Sequence, residues 1–184
     1  MSSFLFGFAL VLIVSIGARD QLLVARLAGR TGPGLVVAGG LAATFSACMM
    51  AWGGAWIADM LFPAAQAMLV ALALGAAAIE LMWPASDKAP REPSHSIIAA
   101  FVVLLARQLG DAGRFLIFAL SAATALPWLV AAGGAIGGTG ALVVGWIAGR
   151  DLETALPLRA IRLVLAAVLL IAAFTIGLTA RGIV

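Results

Sequence analysis

Arg107-Gln-Leu-Gly-Asp-Ala-Gly-Arg114 lies inside an apolar run from Ile97 to Ala123. Ninety-three residues earlier, Ser15-Ile-Gly-Ala-Arg-Asp-Gln21 lies inside another. Whether these charged stretches sit in water or in a bilayer decides the fold. Composition answers that. Of 184 residues, 64% are hydrophobic and 10% charged, and the mean hydropathy is +1.17. A soluble domain of this size has too little core to hide so much apolar surface. The chain therefore reads as an all-α integral membrane protein. A charged group at bilayer depth costs about 2.5–3.5 kcal/mol on insertion scales, so the two charged stretches become candidate functional sites.

A spanning helix needs about 20 mostly apolar residues. Six segments qualify: 3–28, 34–58, 64–83, 97–123, 128–149 and 158–180. The breaks carry turn chemistry at Arg30-Thr-Gly-Pro33, Phe62-Pro63, Leu126-Pro127 and Leu156-Pro157. The start lacks a positive n-region and a cleavage site, so it is expected to be a retained first helix. The longest polar segment is 84–96, PASDKAPREPSHS, which suits a solvated linker. His95 falls there and reads as a loop residue. Cys48 has no second cysteine to pair with and reads as a packing residue. Glu80, in the last turn before the linker, is expected to snorkel to the interface.

Six spans place the first, third and fifth loops on one face. Arg30, Lys88, Arg91 and Arg150 lie there, with Arg26, Arg159 and Arg162 at adjoining helix ends. The opposite face has Arg181. The positive-inside rule makes the basic face cytoplasmic, with both termini outside and linker 84–96 inside, in a bacterial cytoplasmic membrane. Trp83 and Trp128 fall at span ends, where interfacial tryptophans belong. The net charge of +3 is spread between apolar runs, which speaks against a nucleic-acid partner. The lipid bilayer is the expected surrounding, with a homodimer or a larger membrane complex as the expected protein context.

The halves match internally. At an offset of 93, Phe8 pairs with Phe101, Gly17 with Gly110 and Leu23 with Leu116. The second helices both end Trp-Ile-Ala, at Trp56 and Trp146. The expected architecture is six transmembrane helices as two three-helix repeats, 1–83 and 97–184, joined by 84–96. An odd number of spans per repeat inverts the second. Transporters built this way carry their site near the midplane, where the halves meet. Helices two and five hold glycines, among them Gly133, Gly134, Gly137 and Gly138, at the small-xxx-small spacing of close helix packing.

At these residues the chain resembles the GDT-type cation exchangers, also called uncharacterised protein family 0016. The resemblance covers nearly the whole chain. It implies two inverted three-helix halves, each with Glu-x-Gly-Asp-(Lys/Arg)-(Thr/Ser) in its first helix, and exchange of manganese or calcium for protons. Here the first copy keeps Gly17 and a basic Arg19. Ser15 replaces the Glu, Ala18 the Asp, and Asp20 the hydroxyl residue. The second copy keeps Gly110 and Asp111, while Gln108 replaces the Glu and Ala112 and Gly113 the last two.

Hard cations need several oxygen ligands, mostly carboxylates. The ion-site candidates are Asp111, Gln108, Ser15 and Asp20, with Asp111 the expected metal ligand. Gly17 and Gly110 are candidate helix breaks. Arg19, Arg107 and Arg114 form the intramembrane charge network. On an unbroken helix Arg107, Asp111 and Arg114 share one face and form an internal cluster. Three arginines against Asp20 and Asp111 leave a local charge of +1, which disfavours a dehydrated divalent cation. The same sign suits an anion. No catalytic residue or resident cofactor is expected, the one implied ligand being a transported divalent cation. No nucleophile–base pair, phosphate loop or Cys/His cluster points to an enzyme. Two functions follow: a divergent cation/proton exchanger, or a non-transporting accessory subunit of a membrane complex.

Overall fold

A computed structural model describes residues 1–28, 32–84 and 96–183. Arg30, Lys88, Arg91 and His95 lie outside them. Every described element is a helix: α1 Ser2–Val14, α2 Arg19–Leu27, α3 Gly34–Asp59, α4 Pro63–Met82, α5 Ile97–Leu109, α6 Ala112–Thr124, α7 Pro127–Ala148, α8 Asp151–Ala155 and α9 Leu158–Ala180.

α3, α4, α7 and α9 are long and apolar enough to cross a membrane. The expected first span, 3–28, is instead two helices. α1 and α2 meet at 64° across a four-residue break, and as one broken span they would make a fifth. The expected fourth span, 97–123, is likewise divided into the shorter apolar helices α5 and α6. Six uninterrupted spans are therefore not what the chain forms. The cause is local in both places. Gly17 takes φ +74°, a left-handed conformation that ends a helix at little cost only for glycine. Asp111 leaves the helical region at ψ 148°, and its carboxylate accepts the Gly113 N–H at 3.2 Å, capping α6.

The proline breaks do what their chemistry predicts. Pro63 and Pro127 occupy the first turns of α4 and α7, where a missing N–H costs nothing. Pro33 and Pro157 stand as the N-caps of α3 and α9. The short helix α8 between α7 and α9 has no counterpart in the sequence reading.

α7 lies at the centre, against α1 and α3, while α4 and α9 pack on each other. The glycines make this possible. A Cβ at Gly133 would fall on the Phe4 carbonyl, and one at Gly137 on the Phe8 carbonyl. The small-residue stripe of α7 thus seats the backbone of α1 within the chain. A larger side chain there would force the two helices apart. Cys48 is partly buried and packs beside Ala47, Ala51 and Ile117, as a small core residue should.

Burial is uneven. In α7, 56% of the span is inside the protein, but in α9 only 11% is. α9 shows Val164, Val168, Ile171 and Phe174 on its surface. Water would not tolerate such a face, whereas lipid tails solvate it. Trp83 and Trp128 are exposed at the ends of α4 and α7, and Trp128 makes an edge-to-face contact with Trp52 at 4.2 Å.

Candidate functional site

The two charged stretches are the two helix breaks, and they close alike. The Ala18 N–H donates to the Ser15 carbonyl at 3.0 Å, and the Asp111 N–H to the Gln108 carbonyl at 3.0 Å. In both, the next helix starts from an extended residue, Ala18 or Asp111. Breaking a helix frees backbone groups that lipid cannot satisfy. In the first break Gln21 answers this. Its Oε1 accepts the Gly17 N–H at 2.7 Å, and its Nε2 donates to the Ala141 carbonyl at 2.9 Å.

All four ion-site candidates are buried, and the breaks bring them together in two pairs. Gln108 Nε2 donates to Asp20 Oδ2 at 3.0 Å. Ser15 and Asp111 both border Gly113, where a Cβ would lie 3.1 Å from Asp111 Oδ2 and 3.5 Å from Ser15 Oγ. Asp20 also accepts the Gln21 N–H through Oδ1 at 2.8 Å. Gln108 continues into Ser46, a residue that no motif marks. The Ser46 hydroxyl, wholly buried on α3, lies 3.2 Å from Gln108 Oε1 and accepts Arg114 Nε–H at 2.8 Å. Its single proton is better placed for the Ala42 carbonyl at 2.7 Å. Ser46 had no sequence signal beyond being a hydroxyl among alanines.

The expected Arg107–Asp111–Arg114 cluster does not form, because the helix break at Gly110 rotates Arg107 away from Asp111. No ion pair within 4.0 Å joins Asp111 to either arginine among the described residues. Arg107 is half-buried and reaches the Arg19 carbonyl at 3.4 Å. Arg114 is 1% exposed, with Nη2 unpartnered. Among the described residues no three His, Cys, Asp or Glu side chains gather as a metal-holding group.

Glu80 does not snorkel. It is buried, 3.2 Å from Arg162 and 3.4 Å from Arg19. Arg162, counted in the sequence as an orienting charge at a helix end, is 5% exposed. Its other nitrogen donates to the Gly17 carbonyl at 3.0 Å. α9 folds back on α4, and Arg162 on it covers Glu80. Arg162 thereby ties the first break to α4. Its position near the start of an apolar helix conceals this role.

Beyond this trio a cavity of about 290 Å³ is lined by Gly17, Arg26, Trp83, Pro84, Glu153 and Arg159, among others. Arg26 on α2 pairs with Glu153 on α8 at 2.6 Å. Hydrogen bonds from Arg26 hold the Glu153 carboxyl below the usual carboxylate range.

Residues 96–182, slightly under half of the chain, match the family model described as divalent cation/proton antiporter GDT1. No curated protein and no solved structure matches the chain. The matched part opens at Ser96, the N-cap of α5, and runs past the end of α9, so it contains the second break entire. Over residues 96–182 the chain is thus similar to the divalent cation/proton antiporters of the GDT1 family.

Proposed function

We propose that the chain is a divergent divalent cation/proton exchanger whose ion path passes between the two breaks, with Asp111 as its principal carboxylate. The observation that carries this reading is the meeting of the breaks. Under the offset of 93, Ser15 corresponds to Gln108 and Asp20 to Gly113. The approach of Ser15 to Gly113 and the hydrogen bond of Gln108 to Asp20 are then one contact, seen from opposite halves. Such exchange is what a two-fold relation between repeats produces. It supports 1–83 and 97–184 as inverted repeats, with each broken pair serving as one span and a site at their interface.

Manganese and calcium are the cations this reading takes. Asp20, Asp111 and Ser15 supply hard oxygens, though fewer carboxylates than the family motif provides, so the site is a degraded one. Arg26 on α2, Trp83 and Pro84 after α4, and Glu153 on α8 line one cavity. That supports the first, third and fifth loops on one side. The positive-inside rule makes it the cytoplasmic side, with both termini outside.

A second reading has one observation behind it. Gln21, Gln108, Ser46 and Asp20 bond to one another or to backbone, as a charged scaffold interior would. The chain is then an accessory subunit, and its partner or second copy covers a lipid-facing helix. Purified protein in liposomes separates the two. The exchanger moves manganese or calcium under a proton gradient, and Asp111→Asn stops it. Absence of flux from the wild-type protein, with a stoichiometric partner in the purified complex, would sink the exchanger.

A further inference from the structure

We infer that Arg114 sets the charge of this site against divalent cations, so that neutralising it raises their affinity. The inference rests on the ion-site reading above. Arg114 is 1% exposed, yet a single side-chain bond, Nε to Ser46 at 2.8 Å, anchors it. Among the described residues Nη2 has no partner, and no carboxylate lies within ion-pair distance. The guanidinium rests on Gly138, where a Cβ would come within 3.2 Å of Nη1 and 3.4 Å of Nη2. α7 therefore makes room for the group without neutralising it.

Contacts of 2.8, 3.2 and 3.0 Å lead from Arg114 through Ser46 and Gln108 to Asp20, and Asp111 caps the first turn of the helix that carries Arg114. Asp20, Asp111 and Arg114 taken together carry one negative charge, where the two carboxylates alone would carry two. A dehydrated divalent ion entering there meets an unscreened like charge in a low-dielectric surrounding. Glu80 does not offset this, because Arg19 and Arg162 already engage it. The first break shows the alternative. Its residue at the matching position is Gln21, which is neutral and spends both ends of its amide on backbone. A glutamine is thus a tenable occupant of this position in the fold.

The test is manganese binding to the purified protein in detergent, read by electron paramagnetic resonance. Arg114→Gln is expected to bind manganese about tenfold or more tightly than wild type. Adding Asp111→Asn cancels the gain. Arg114→Lys keeps the charge and stays near wild type. Arg107→Gln, at a half-buried arginine directed to a backbone carbonyl, changes little. Arg114→Met serves in place of the glutamine variant if that variant is not monodisperse. Wild-type affinity in the neutral variants overturns the inference, as does an equal gain in Arg107→Gln. Exchange by the wild-type protein with unchanged affinity in Arg114→Gln sinks this inference alone. An Asp111-dependent gain without wild-type exchange upholds it and sinks the exchanger.

Discussion

The two breaks close with the same turn hydrogen bond and differ in glycine conformation and in what holds them. The first depends on remote side chains. Gln21 closes onto Gly17 and reaches α7, while Arg162 comes from 145 positions along the chain to the Gly17 carbonyl. The second is capped by its own Asp111. The first break also requires glycine, at φ +74°, whereas Gly110 sits at φ −100° with open space around it. Two breaks with the same closing bond can therefore divide the work. In this chain one break is locked by structure, and the other retains the motif carboxylate.

The largest expected effect falls on the lock. Arg162→Met should destabilise the protein by about 3–5 kcal/mol, because it removes the closest partner of buried Glu80 and frees the Gly17 carbonyl. Thermal unfolding in a mild detergent reads this. A variant as stable as wild type would mean that the first break stands without α9.

Gln21→Ala should cost about 1–3 kcal/mol by the same measurement, since it strands the Gly17 N–H in a buried region and loses the bond that ties the break to the Ala141 carbonyl. If the loss were no larger than for an exposed position, such as Leu163→Ala, Gln21 would not be the closure proposed. The glycines give the most direct contrast. Gly17→Ala should lose about 1–2 kcal/mol from its left-handed conformation, with Leu158 crowding the new Cβ at 3.3 Å. Gly110→Ala should be close to neutral. Equal losses at the two positions would erase the difference between the breaks.

The smallest effect lies where α2 meets α8. The Arg26–Glu153 pair is partly exposed and is worth about 0.2–1 kcal/mol. Because Glu153 titrates below its usual range in the fold, the contribution is full above the unfolded value of about 4.3. It is lost as pH falls through the lower folded value. The stability difference between wild type and Glu153→Gln should therefore be present at neutral pH and shrink in that acid window. A difference independent of pH would show that the carboxylate charge is not what joins α2 to α8.

Much of this was legible in the sequence, because it rests on local signals. Hydropathy found the long helices, and the prolines marked their starts. Gly17 and Gly110 announced helix breaks, although the spans around them still read as continuous. A glycine in an apolar run shows that a helix is free to break, not that it does. Asp111, Gln108, Asp20 and Ser15 were identified as candidates from their register in the repeat. How they pair was not, since Gln108 meets Asp20 across 88 positions. Glu80 and Arg162 were misjudged for the same reason. Each sits near a helix end, where sequence predicts water, and only the packing of α9 on α4 buries them.

The sequence by itself determined that this chain lives in a membrane, is helical and carries two charged stretches inside apolar runs. Those properties follow from composition, periodicity and register, which need no knowledge of neighbours. Tertiary structure alone decided which charges face each other. It left Arg107 on a backbone carbonyl, drew Glu80 between Arg19 and Arg162, and seated Arg114 on Gly138 beside Ser46. The reason is physical. A buried charge takes its energy from whatever lies within a few ångströms, and those neighbours come from helices far apart in the chain.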